Sequence, residues 1–497
     1  MSLRLACVAL IAASLTAPAW AAEAPLADAV QAKDRTAATQ LLAKHADVNA
    51  AQPDGSTALL WAVYNDDADM VAQLLRAGAI VKTANSFGAT PLSEAAVTGD
   101  VAILAGLLQG GADVNEPNAD GQTALMVVAR TSNIKAIRLL LDHGADVNRK
   151  EHFREQTPLM WAAAESQPVM VQELLAHGAD ANARSQINDW QRQVSGEPRA
   201  KYLPRGGFTP LLYAARQGCT GCAKALVEGG ADINLANPDA VTPLLEAVLN
   251  GSFDLAAYLV SKGANVNKWD WWGRTPLYAA VDLNTIPRGG RPDHISLDNT
   301  TSLDVIRLLL DAGANPNAQL KLAPPFRDVG NDRGVDSMLT IGATPLLRAA
   351  KALDAPATKL LLAKGALPNL PNSRGTTPTM AAAGLGSVDA DTRGLFTSED
   401  VQQRSIATLE ALLAAGGEIN AADPRGQTPL HGAAFWGWND VVQYLVDRKA
   451  NLNAKDAKSM TPVDSAMGRA GGNSRGGQRI DVHPDTAALL QKLTASR

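Results

Sequence analysis

Two short patterns in this chain carry residue types able to do chemistry. Cys219 and Cys222 are spaced as Cys-x-x-Cys within "RQGCTGCAKAL". Such a pair can exchange disulfides when a helix N-terminus lowers one thiol pKa, or supply two ligands of a tetrahedral metal site. The second pattern occurs twice, in "PRGGRPDHISLD" from Pro287 and "SRGGQRIDVHPD" from Ser474. It sets Arg288, Asp293 and His294 in the same order as Arg475, Asp481 and His483. A His/Asp pair can move protons or bind a metal ion. The surroundings weigh against both. No second Cys-x-x-Cys or paired histidine completes a zinc set, and no βαβ context accompanies the thiols. No GxSxG, HExxH or phosphate-cradling glycine loop after a strand is present. The Gly-rich segments fit loops whose Ser302 or Asp485 caps the following helix. No residues assign a catalytic mechanism, so neither catalytic residue, metal nor cofactor is expected.

The first residues, "MSLRLACVALIAASLTAPAWAAEAP", join Arg4, an apolar run from Leu5, and Ala19-Trp20-Ala21. That is the grammar of a secretory signal peptide cleaved near Ala21. The run falls short of the about 20 residues a spanning helix needs. The expectation is a soluble periplasmic or secreted protein. Lys and Arg number 45 against 50 Asp and Glu, and no long basic run occurs, so a nucleic-acid partner is not expected.

The elements that must position these residues repeat. "DGSTALLWAVYNDDADMVAQLLRAGAIV" from Asp54 aligns with "DGQTALMVVARTSNIKAIRLLLDHGADVN" from Asp120 and "RGQTPLHGAAFWGWNDVVQYLVDRKANLN" from Arg425. In each, Thr caps a helix, Pro suits the first helical position, and Leu and Ala follow on the inward face. A second helix carries Leu/Val pairs at i, i+3, i+4 spacing and stops at Gly. Helices this short are not stable alone, so the units must stack. Thr-Pro-Leu recurs at Thr209, Thr242, Thr275, Thr344 and Thr428, and Gly-Ala-Asp-x-Asn at Gly144 and Gly230.

On those signatures the chain resembles the ankyrin-repeat family. The resemblance implies an all-α solenoid of helix-turn-helix units with β-hairpin fingers, about twelve of them over residues 22–497. It also implies a non-enzymatic binding protein that meets protein partners on its concave face. His431 matches the family's T-P-L-H. Insertions interrupt the register at the fingers, residues 185–207 and 320–341, and between helices, residues 284–301, 385–402 and 468–483.

In this register Cys222 falls at a core position, with Met70, Ile103 and Leu255, while Cys219 falls at the exposed turn. The thiols are then i, i+3 at a helix N-terminus, and in an oxidising compartment a local structural disulfide is expected. Free core thiols, or a redox or metal role, are the alternatives.

Candidate contact residues are aromatic. Trp269, Trp271 and Trp272 stand at a finger tip in "NKWDWWGRTPL". Either they anchor a partner, or a neighbouring finger with Trp190 and Tyr202 covers them. Stacking on sugar rings of an envelope glycan is the other reading. Phe435, Trp436 and Trp438 form a second group at a turn between helices, with packing under adjacent loops as the alternative. The fourth residue after the repeat Thr reads Trp61, Glu94, Val127, Trp161, Tyr213, Glu246 and Arg348. This column is expected to face solvent, with Trp61, Trp161 and Tyr213 as contacts. The bland reading is that they fill gaps between layers.

Overall fold

A computed structural model describes residues 24–191, 193–194, 201–285, 298–322, 340–386, 398–468 and 482–496. Residues 1–23, the expected signal peptide, lie outside the described residues, as do Arg288, Asp293, His294, Arg475, Asp481 and much of each insertion after residue 284. Two compact units divide the chain: one runs through Ala162 and includes Val169–Asp180, the other comprises Ala163–Pro168 and Ala181 onward.

Helices follow one another in pairs, such as Ala58–Tyr64 with Ala68–Arg76 and Pro91–Thr98 with Val101–Gln109. Each start has a local cause. Thr57, Thr90, Thr209, Thr242 and Thr344 take extended backbone and accept the N–H three residues on through their hydroxyls. Second helices are capped the same way by Asp34, Asp67, Asp100, Asn133 and Asp354. They end at glycines such as Gly78, Gly144 and Gly365, whose φ of 83–88° suits a residue without Cβ.

First helices pack on first helices of the adjoining pair and second on second, as Ala58–Tyr64 on Pro91–Thr98 and Ala68–Arg76 on Val101–Gln109. The repeated Leu and Ala lie between them; Leu59, Leu92 and Leu125, and Leu74, Leu107 and Leu140, are all fully buried. Stability is therefore built from neighbour-to-neighbour apolar contacts rather than one central core.

The fingers differ from expectation. Among the described residues, regular strand pairing occurs only at Gln193–Val194 with Lys201–Tyr202, inside the 185–207 insertion. Elsewhere a side chain closes the turn. Asn118 Oδ1 accepts from the N–H groups of Asp120 and Gln122 at 3.0 and 2.9 Å, and Asn237 does the same for Asp239 and Val241. Asn372, Asp423 and Asp456 repeat the arrangement. The carboxamide or carboxylate meets the donors a strand partner would have met. Backbone bonds also join neighbouring fingers, for example Ser86 N–H to Asp54 O and Trp271 N–H to Asp239 O.

Candidate protein-recognition surface

In the first compact unit, the fourth and seventh residues after each repeat Thr lie on one face of the first helix, being three apart. They read Trp61 and Tyr64, Glu94 and Val97, Val127 and Arg130. The expected solvent-facing column is half-buried here. Trp61 is held by a bond from its Nε1 to Gln52 Oε1 at 2.6 Å and meets Tyr64 edge-on at 5.5 Å. The seventh residues are the exposed ones, with Tyr64 63% and Val97 66% accessible. Trp161 is half-buried beneath the Arg130 guanidinium, 5.1 Å from its ring centroid. Sequence reasoning missed the seventh column, although its variation from Tyr to Val to Arg was legible.

Glu94 stands apart within this face. It is half-buried, and burial raises its carboxyl above the ordinary value, with no hydrogen bond or ion pair to another described residue. Glu173, by contrast, meets Arg138 at 3.0 Å. Glu116, also raised by burial with Lys82 working the other way, keeps one carboxylate oxygen buried without a hydrogen-bond partner among the described residues.

In the second unit the same column is buried, which corrects the expectation for Tyr213. Its ring is 6% exposed and packs on Phe208 at 5.4 Å, with the Arg216 guanidinium above both rings. Glu246 is buried and its Oε1 accepts from Asn250. Arg348 is buried and paired with Asp282 at 2.6 Å. These side chains are packing groups.

The tryptophan finger is partly covered. Asp270 is fully buried and accepts from the N–H groups of Trp272 and Arg274 and from Arg274 Nε at 2.8 Å. Burial raises its pKa and Arg274 opposes the rise. Trp272 is half-buried with the Arg274 guanidinium 4.8 Å from its ring centroid, and its carbonyl accepts from Lys321 N–H at 2.9 Å. The Lys321 ammonium lies 3.1 Å from the centroid of Trp269. Trp269 and Trp271 still expose 46% and 40% of their surface. Trp190 is also exposed, and Tyr202 stands opposite Gln193 in the short strand pair.

Phe435, Trp436 and Trp438 pack against their own neighbours. Trp436 donates from Nε1 to Gly384 O at 2.8 Å, stacks on Trp438 at 6.2 Å and meets Phe435 edge-on. Trp438 is 5% exposed. A side chain at Gly384 would collide with Trp436 and Trp438, so glycine there lets the rings seat.

Cys219 and Cys222 form a disulfide. Cys219 is half-buried, Cys222 is fully buried, and Cys219 Sγ accepts from Cys222 N–H in place of the capping aspartate used elsewhere. His431 is buried; its Nδ1 accepts from Thr428 N–H at 3.1 Å, which leaves Nε2–H to donate to Met460 O. Burial lowers its pKa. His483 lies at the start of helix Pro484–Ala495, with its ring against Gly437. Among the described residues no group of three His, Cys, Asp or Glu side chains is placed to hold a metal, and no helix is long and apolar enough to cross a membrane.

Comparison with known proteins agrees with this architecture. A family model described as ankyrin repeats in three copies matches residues 26–118, 102–185, 211–320 and 399–473. The chain is 37% identical over 97 residues to the Neurogenic locus Notch protein of Drosophila melanogaster, 19% of this chain and 3% of that protein. It is 35% identical over 109 residues to human Cyclin-dependent kinase inhibitor 2A, 22% of this chain and 58% of that protein. To human SH3 and multiple ankyrin repeat domains protein 2 it is 30% identical over 231 residues, 43% of this chain and 10% of that protein. The chain thus spans only part of the length of these relatives. With family matches over more than half its residues, the chain belongs to the ankyrin-repeat family.

Proposed function

We propose that this chain is a non-enzymatic protein-binding scaffold of about twelve repeats that presents its first-helix face and finger tips to a protein partner. One observation carries the reading. The buried Leu and Ala positions of the first helices hardly vary, whereas the exposed seventh column changes from Tyr64 to Val97 to Arg130 along adjoining helices. A face whose chemistry varies over a constant core is suited to recognition rather than to folding. The exposed Trp269 and Trp271 would add an anchor on the finger side. Action outside the cytoplasm is part of the proposal, supported by the leader grammar and by the Cys219–Cys222 disulfide.

The test is crosslinking in the native compartment with the full chain. Species captured by the wild type should be lost with Tyr64→Ser plus Val97→Ser, or with Trp271→Ser, at unchanged melting temperature. A captured set that all these variants retain would remove the assignment of these surfaces.

A further inference from the structure

Within that reading, on which this inference rests, Glu94 says what kind of segment the first unit takes. A half-buried carboxylate ordinarily acquires an ion pair or backbone N–H donors, because shielding an unpaired charge from water is unfavourable. Glu94 has neither among the described residues, whereas Asp282, Asp270 and Glu173 each face an arginine. Its first-turn position in helix Pro91–Thr98 is favourable for a negative charge, yet burial still raises its pKa.

The positions level with Glu94 on the adjoining first helices are apolar. Helix Pro91–Thr98 packs between Ala58–Tyr64 and Ala124–Ala129. Trp61 and Val127 hold the same register position on those flanking helices, at interaxial distances of roughly 10 Å. Tyr64 and Val97, one turn further on, are the exposed rim. A lysine or arginine entering here would bring the missing charge at its tip and lay its methylene stem along Trp61 and Tyr64. An acidic or purely apolar segment would leave Glu94 unpaired and more deeply shielded.

We propose that the first-helix face around Glu94 binds a linear peptide segment of a partner protein that inserts one lysine or arginine side chain, flanked by apolar residues, with Glu94 as its counter-charge. The complementarity gives specificity more than raw affinity, since the carboxylate would reject neutral or anionic side chains at that point.

The experiment uses the full chain and phage-displayed linear dodecapeptides, from which one selected sequence is made as a fluorescein-labelled probe. The expected result is selection of peptides carrying Lys or Arg between apolar residues, at least 10-fold weakened by Glu94→Gln. Replacing the basic residue by norleucine should weaken wild-type binding equally and add nothing in Glu94→Gln, the coupling that a double-mutant cycle isolates. A probe weakened by Tyr64→Ser and Val97→Ser but indifferent to Glu94→Gln overturns the cation assignment and leaves the recognition face standing. A probe indifferent to all three, or failure to select any peptide, overturns the face as well. Unchanged melting of each variant keeps loss of binding distinct from loss of fold.

Discussion

Asn148 donates from Nδ2 to the carbonyl oxygen of Gly178 at 3.1 Å, while its Oδ1 accepts from Asp180 N–H at 2.8 Å. The same two-point clasp joins Asn49 to Gly78 and Ile80, Asn115 to Gly144 and Asp146, and Asn317 to Gly365 and Leu367. In these four cases the asparagine that closes one unit holds the glycine carbonyl just beyond the second helix of the following unit. Between Asn49 and Asn115 the register places Lys82, which cannot accept a hydrogen bond.

Lys82→Asn should therefore stabilise the first unit, through a donor to Gly111 O and an acceptor for Asp113 N–H. A net gain of about 1 kcal/mol is expected. Asn148→Ala should lose at least about as much. Urea midpoints at constant slope check both signs; no rise for Lys82→Asn would mean the clasp adds nothing to stability.

The disulfide does a job that aspartate does elsewhere. In a Cys222→Val background, Cys219→Asp should retain the helix cap, while Cys219→Ala should be less stable by about 1 kcal/mol. Thermal melts of the two variants make the comparison; equal melting would show that the cap at Thr220–Glu228 is immaterial.

Two buried titratable groups bend stability in opposite directions. His431 has a folded pKa lowered by burial, so the unfolded chain binds more protons and stability falls as pH drops below about 6.5. Asp270 has a raised pKa, so the folded chain binds more protons and stability falls as pH rises from about 3.9 through the raised value. Asp270→Asn, matching Asn237 and Asn372, should flatten the acidic part of a stability–pH curve. His431→Gln should flatten the part near neutrality. Denaturant midpoints measured between pH 4 and pH 8 show whether each slope disappears.

The aromatic residues should separate cleanly by mutation. Trp438→Ala removes a buried ring from a stacked pair and should cost about 3–5 kcal/mol. Phe87→Ser, Phe153→Ser and Trp271→Ser remove exposed side chains and should stay within about 0.5 kcal/mol of wild type. Paired stability and partner-capture measurements check both. A large loss from Trp271→Ser would make that ring a packing group and withdraw it from the recognition surface.

The helix pairs were legible because their signals are local. Thr209, Pro210 and Leu211 fix cap, first turn and inward face within three residues. Cys222 was placed correctly by register alone. What needed coordinates depends on the neighbouring pair. Tyr213 and Trp61 share a column, yet Phe208 and Arg216 enclose the first while the second stays half-open. Lys321 reaches Trp269 from far along the chain, which no periodicity reveals. The turn-closing role of Asn118, Asn237 and Asn372 was not legible, because it lies in where their side chains point.

That side chain fastens the loop through backbone N–H groups, so the turn places little demand on the side-chain type of the residue two places on. It is Phe87, Asp120, Asp239, Trp272, Arg374, Arg425 and Lys458 in seven such loops, spanning apolar, acidic and basic chemistry on one hydrogen-bond pattern. Where such a residue is exposed, as Phe87 is, a single substitution changes the chemistry of the surface while the turn keeps its shape.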